Sequence, residues 1–205
     1  MSVLDYLNKY REENGYYSIE ELCDVIGLSN IVVDPYSLLI SKNVIIGAGN
    51  LFSCGVTISS DTSSRIIIGN KNSFANNTHI EAANNTEIRI DNNVVFNDGC
   101  ICVKCNIKGG KMKFGNNGRF DGRINIFGNC DFGVGSQIIG TINVYGCTLQ
   151  GGGDFTEPDP DKRAGLIKGI GTARNITVET GNVLNGFGDF DPSKTEPQSV
   201  YHKKS

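Results

Sequence analysis

Between Ser37 and Gly153, large residues recur at every sixth position. Ile46, Phe52 and Ile58 form one set, Ile68, Phe74 and Ile80 a second, and Ile90, Phe96 and Cys102 a third. An unbroken series follows: Phe114, Phe120, Ile126, Phe132, Ile138, Val144. Three stations per round describe a coil with three short sides, each a strand of a few residues and each corner a turn. The columns then read Ile46, Ile68, Ile90, Phe114, Phe132; Phe52, Phe74, Phe96, Phe120, Ile138; and Ile58, Ile80, Cys102, Ile126, Val144. Four phenylalanines falling in one column is not the work of chance.

Side chains alternate along a strand, so the residue two before each station should also point inward. For the first column these are Val44, Ile66, Ile88, Met112 and Cys130, and for the third Val56, Thr78, Cys100, Ile124 and Ile142. Gly, Ala, Asp or Asn often follows a station, as at Gly47, Gly69, Ala75, Asp91, Gly115 and Gly133, which suits a corner. The extra residues of the first three rounds all fall at one corner. They predict a ridge of stacked loops, Ser59–Arg65, Glu81–Glu87 and Val103–Lys111.

Composition agrees with many strands and many turns. There are 23 Asn and 26 Gly, and Ile plus Val number 37 against 16 for Leu plus Ala. β-branched residues favour pleated strands, and Asn and Gly favour tight turns. Helix is expected only at the start, where Leu4, Leu7 and Tyr10 recur at helical spacing and Ser18 opens a second short helix closed by Gly27. Paired short helices also occur in DNA-binding modules, but the charge here is mixed and no basic recognition helix follows. The expected organisation is a helical cap over 1–36, the repeat over 37–153, and a linker, irregular coil and mobile tail over 154–205.

A net charge of −3 supplies no basic field for nucleic acid or an anionic membrane. No apolar run approaches the roughly 18 residues of a spanning helix. Met1-Ser2-Val3-Leu4-Asp5 lacks the basic-then-apolar pattern of a secretory signal, so the expected compartment is cytoplasmic. The seven cysteines are expected to be free thiols.

Stretches such as Val44-Ile45-Ile46-Gly47-Ala48-Gly49-Asn50 and Ile66-Ile67-Ile68-Gly69-Asn70-Lys71-Asn72 resemble coils of the hexapeptide-repeat superfamily. The resemblance implies an all-β fold, a left-handed parallel β-helix, with short N-terminal helices and a C-terminal extension here. It also implies a homotrimer with acyl-CoA-dependent or acyl-carrier-dependent sites between subunits. The left hand comes from the resemblance alone, since ordinary parallel crossovers are right-handed. Members include acetyltransferases for amino sugars, serine and antibiotics, γ-class carbonic anhydrases, and noncatalytic subunits. The chain also looks like the coil domain attached to sugar nucleotidyltransferases, but no Gly-rich loop opens a βαβ unit, so uridylyl transfer is not expected.

His79 is the leading candidate base. It precedes the inward Ile80 and so faces outward, with Glu81 on the same side. By resemblance the chemistry is acetyl transfer from acetyl-CoA, a co-substrate, to a hydroxyl or amine of a sugar or nucleotide sugar. A His accepts the acceptor's proton and a carboxylate fixes its tautomer. The stretch Asn76-Asn77-Thr78-His79-Ile80 lacks the longer motif of the amino-sugar acetyltransferases. His202, in the tail, is a weaker candidate. Two histidines cannot supply the γ-carbonic anhydrase zinc set; by the repeat count His79 stacks between Thr57 and Ile101, and no metal is expected. Cys100 and Cys102 are placed in the interior, with only Cys105 reaching the corner loop. Lys104, Lys108, Lys111, Lys113, Arg119 and Arg123 cluster in sequence and could meet phosphate, or be ordinary solvated charge. The competing function is a noncatalytic trimeric scaffold or binding module.

Overall fold

The structure is a computed structural model that describes residues 2–97 and 100–202. After helix α1 (Val3–Glu13) and helix α2 (Leu22–Gly27), the chain is strands and turns, with three short 3-10 turns near the end. Ser2 caps α1 through a reciprocal bond with Asp5. Ser18 and Glu21 make the same reciprocal pair, but the helix proper starts only at Leu22.

The strands fall into three parallel columns that the chain visits in fixed order. This is the arrangement of a β-helix. On the first face Ile46, Ile68, Ile90, Phe114 and Phe132 stack in register and continue to Leu149 and Val178. On the second, Phe52, Phe74, Phe96, Phe120 and Ile138 stack, joined above by Val32 and below by Ile167 and Leu184.

The third face departs from expectation at one position. Val103, not Cys102, pairs with Ile80 and leads on to Ile126 and Val144. Phe74 to Ile80 spans six residues but Phe96 to Val103 spans seven, so one extra residue lies between the two faces. That residue reverses the alternation beyond it. Ile101 and Val103 are therefore buried, Cys100 is exposed, and Cys102 faces outward. Cys105, expected at the corner, is buried.

Phenylalanines fill the interior. Phe52, Phe74 and Phe96 stack nearly parallel with centroids 5.1 and 5.3 Å apart. Phe114, from the first face, meets Phe96 and Phe120 edge-on. Edge and face contacts of this kind add to the burial each ring provides.

Two devices make the corners. In the early rounds, asparagines take the left-handed backbone, with φ of 59° at Asn77, 56° at Asn93 and 58° at Asn117. Asn70, Asn92 and Asn116 form a ladder, each side-chain oxygen accepting the N–H of the residue one coil up. In the later rounds, strands Arg119–Phe127, Gln137–Tyr145 and Leu166–Arg174 each run unbroken across the second and third faces. They bend at Gly122, Gly140 and Gly169, which lie in register. At Gly140 φ is +130°, and a Cβ would come within 2.0 Å of the Gly169 carbonyl oxygen. Only glycine fits there.

The predicted ridge loops are shorter than expected. The strands continue through Ser60, Ala82 and Cys105 and resume at Arg65, Glu87 and Lys111. Alternation persists, so Ala82 and Cys105 point inward and widen the core at that corner. Asp61 ties two loops together: its carboxylate accepts from the Asn84 and Ser63 N–H groups and from the Ser63 hydroxyl. The Asn84 N–H, with the Ser64 hydroxyl next, holds the Asp61 pKa down at about 2.

The C-terminal tail is not loose through 202. Thr195–Pro197 pairs antiparallel with Asn182–Leu184 and covers an otherwise open strand edge. The Lys168 ammonium sits 3.8 Å from the centre of the Tyr201 ring.

Gly140→Ala should lower stability by about 2–4 kcal/mol, since the strained backbone and the occupied space both oppose it. Urea unfolding followed by circular dichroism measures this; an unchanged midpoint would contradict the bend as described. The Asp61 contribution has a defined sign. Its folded pKa lies below the unfolded one, so the stabilisation is present above about pH 4 and disappears as pH falls toward 2. Asp61→Asn should therefore narrow the stability difference between pH 6 and pH 2.5 in the same assay.

Candidate functional site

His79 opens the strand His79–Ala82, whose Ile80 and Ala82 point into the core. This alternation turns His79 and Glu81 to the outer side of the third face. In-register pairing stacks His79 between Thr57 and Cys102, and Glu81 between Ser59 and Lys104. Cys102 replaces the expected Ile101 below His79, a consequence of the extra residue before the strand.

The side chains meet. His79 Nε2 lies 3.3 Å from Glu81 Oε2, and Lys104 Nζ lies 3.1 Å from the same oxygen. The three side chains are 35, 31 and 34% exposed, so solvent or a ligand can reach them. Partial burial pushes the Glu81 carboxyl up, but hydrogen bonds from Lys104 and His79, with their charges, outweigh it and hold it below its usual value. The hydrogen bond to Glu81 raises the Lys104 ammonium. An ionised carboxylate only accepts, so the bond requires a proton on His79 Nε2, and in the neutral ring the lone pair then lies on Nδ1.

Tyr16 closes the upper end of this row. The segment after α1 forms an antiparallel bridge from Tyr16 to Ser41. This brings the Tyr16 hydroxyl into a hydrogen bond with Ser59. Burial raises the Tyr16 phenol, and burial also raises the Cys102 thiol against the pull of Lys104. Lower on the same face, Asn125 donates to Asn143 at 2.8 Å. Phe127 stacks on Tyr145, and the Arg174 guanidinium covers the far side of that tyrosine at 4.1 Å.

The other sequence candidates do not join this site. His202 is exposed, and its backbone N–H donates to the Gln198 carbonyl in the last 3-10 turn. The basic residues from Lys104 to Arg123 do not make one patch, because the chain wraps around the coil between them. Lys111 and Lys113 stand on the first face, where with Arg89, Glu87 and Asp131 they line a groove of about 420 Å³. Arg119 stands on the second face, paired with Asp121 and lying 5.5 Å from the Phe155 ring. That ring and Asn93, Asn97 and Asn117 border a second groove of about 450 Å³. Among the described residues, no group of three or more His, Cys, Asp or Glu side chains is arranged to hold a metal.

Two members of the site escaped the sequence reading. In sequence Lys104 stands among residues that could meet phosphate, and Tyr16 lies within the helical cap. The run Ile101-Cys102-Val103-Lys104-Cys105 does carry a usable signal, since alternation with its apolar residues inward sets Lys104 beside Glu81. Nothing in the sequence marks Tyr16.

No family model and no curated protein matches the chain. Among solved structures, it is similar to a mutant of AntD, an N-acyltransferase from Bacillus cereus in complex with dTDP-4-amino-4,6-dideoxyglucose and coenzyme A. Identity is 16%, the match covers 92% of this chain and 94% of that one, and the TM-score is 0.29. A likeness that low carries no argument about mechanism.

Thiol labelling checks the revised register. Cys23, Cys54 and Cys100 are exposed and should react within minutes with a maleimide under native conditions, with Cys102 slower. Cys105, Cys130 and Cys147 are buried, the Cys130 thiol pushed up to about 12 by burial, and should react only on unfolding. Peptide mapping that found Cys105 labelled before Cys100 would restore the six-residue count.

Proposed function

We propose that the protein is a hexapeptide-repeat acyltransferase built on a left-handed parallel β-helix. In this reading residues 1–36 cap the coil, 37–153 carry the repeats and 154–205 close the other end. It works as a cytoplasmic homotrimer and moves an acetyl group from acetyl-CoA to a sugar or nucleotide sugar. The observation that carries the reading is the contact between His79 and Glu81 on an accessible outer face.

Glu81 holds the Nε2–H tautomer, which leaves His79 Nδ1 as the base. As the acceptor's oxygen or nitrogen attacks the thioester carbonyl, its proton passes to Nδ1, forming an imidazolium that Glu81 stabilises. Collapse of the tetrahedral adduct breaks the carbon–sulfur bond, and the departing CoA thiolate takes the proton from Nδ1. The acyl group ends on the acceptor and the imidazole returns to its starting state.

The noncatalytic scaffold remains a second reading, favoured by one observation. Lys104 already satisfies Glu81, so the trio also has the form of a surface ion-pair network. Titration calorimetry with acetyl-CoA separates the two: one site per chain at tens to hundreds of micromolar supports the transferase, and no heat up to millimolar supports the scaffold. With a sugar acceptor in hand, His79→Ala should lower kcat by about 10²–10⁴-fold. An unchanged rate would remove His79 as the base.

A further inference from the structure

Glu81 Oε2 is shared. His79 reaches it from within the same strand, and Lys104 reaches it from the next coil. Two donors thus share one carboxylate oxygen. A protonated His79 would sit beside Lys104 as well as beside Glu81, and the two cations repel.

We propose that Lys104 is a positioning residue: it anchors the Glu81 carboxylate across the coil boundary and sets a cation on the same carboxylate oxygen that His79 uses. The catalytic meaning of this role rests on the acyl-transfer reading above; the electrostatic coupling does not. The tether stops the carboxylate from swinging away from His79.

The groups facing His79 are few. From the preceding coil come Thr57 and Ser59, and from the following one Cys102 and Lys104. The N-terminal segment contributes Tyr16. Burial holds both Tyr16 and Cys102 in their neutral forms across the ordinary pH range. Glu81 and Lys104 are thus the charged groups in direct contact with the His79 cluster among the described residues, and Lys104 is the cation to remove.

The chain has two histidines, so proton NMR of the imidazole C2–H signals resolves His79, with His202→Gln identifying which resonance is which. In Lys104→Met, which keeps the apolar stem and removes the charge, the His79 titration midpoint should move to higher pH by about 0.5–1 unit. Lys104→Arg should restore the wild-type midpoint, and 1 M salt should shrink the displacement. An unchanged or lowered midpoint in Lys104→Met would overturn the proposal.

Kinetics supply the second readout. The acid limb of the kcat/KM profile for acetyl transfer should move to higher pH by the same amount in Lys104→Met, and the high-pH plateau should fall as Glu81 loses its tether. A lowered plateau with an unmoved limb would make Lys104 merely structural and overturn the role. If the protein turns over no acyl donor, the acyl-transfer reading fails and the catalytic role with it. The NMR displacement then still decides the coupling of Lys104 to His79.

Discussion

Each interior strand of the coils is hydrogen-bonded in parallel register to the strand one coil above and one coil below, and everything else in the molecule follows from that stacking. Parallel pairing sets like positions on top of one another, so a column succeeds only if its residues tolerate their own kind as neighbours. Phenylalanine meets this condition by stacking, as from Phe52 to Phe96, and asparagine by bonding to the backbone above it, as from Asn70 to Asn116. Glycine meets it by leaving room for the carbonyl of the coil below, as from Gly122 to Gly169. One side-chain chemistry thus repeats down each column because one backbone environment does.

The same stacking builds the candidate site. Residues about one coil apart in sequence are brought to the spacing of adjacent strands, roughly 4.8 Å. Glu81 and Lys104 meet for this reason, and the Tyr16 bridge adds a group from outside the repeat. Sequence neighbours are scattered by the same geometry. Lys104, Lys111 and Arg119 lie within 16 positions of one another yet stand on three different faces. Charge clustering along a coiled chain is therefore a poor guide to charge clustering in space.

Errors in reading such a chain are also local in cause and wide in effect. The period of six places two of the three columns as the structure has them and breaks on the third at Cys102, where Val103 takes the inward position. One additional residue after Phe96 was enough to exchange inside for outside through Cys105. The error matters chemically, because it hid Cys102 and Lys104 from the face that carries His79. The ridge loops are shorter than the count implies for a related reason: a change of coil length marks where residues are added, but not whether they lengthen a strand or a loop.

The sequence by itself determined the three-sided coil, its order, its apolar columns and the shared outward direction of His79 and Glu81. These depend on the alternation of side chains along a strand and on a constant spacing, both of which are properties of the chain read in one dimension. Tertiary structure alone decided which residue of the next coil lies under Glu81, that Tyr16 returns to the same face, and that Thr195–Pro197 covers the last edge. Those contacts depend on the register between strands and on the paths of segments outside the repeat, and one residue gained or lost at a corner resets them.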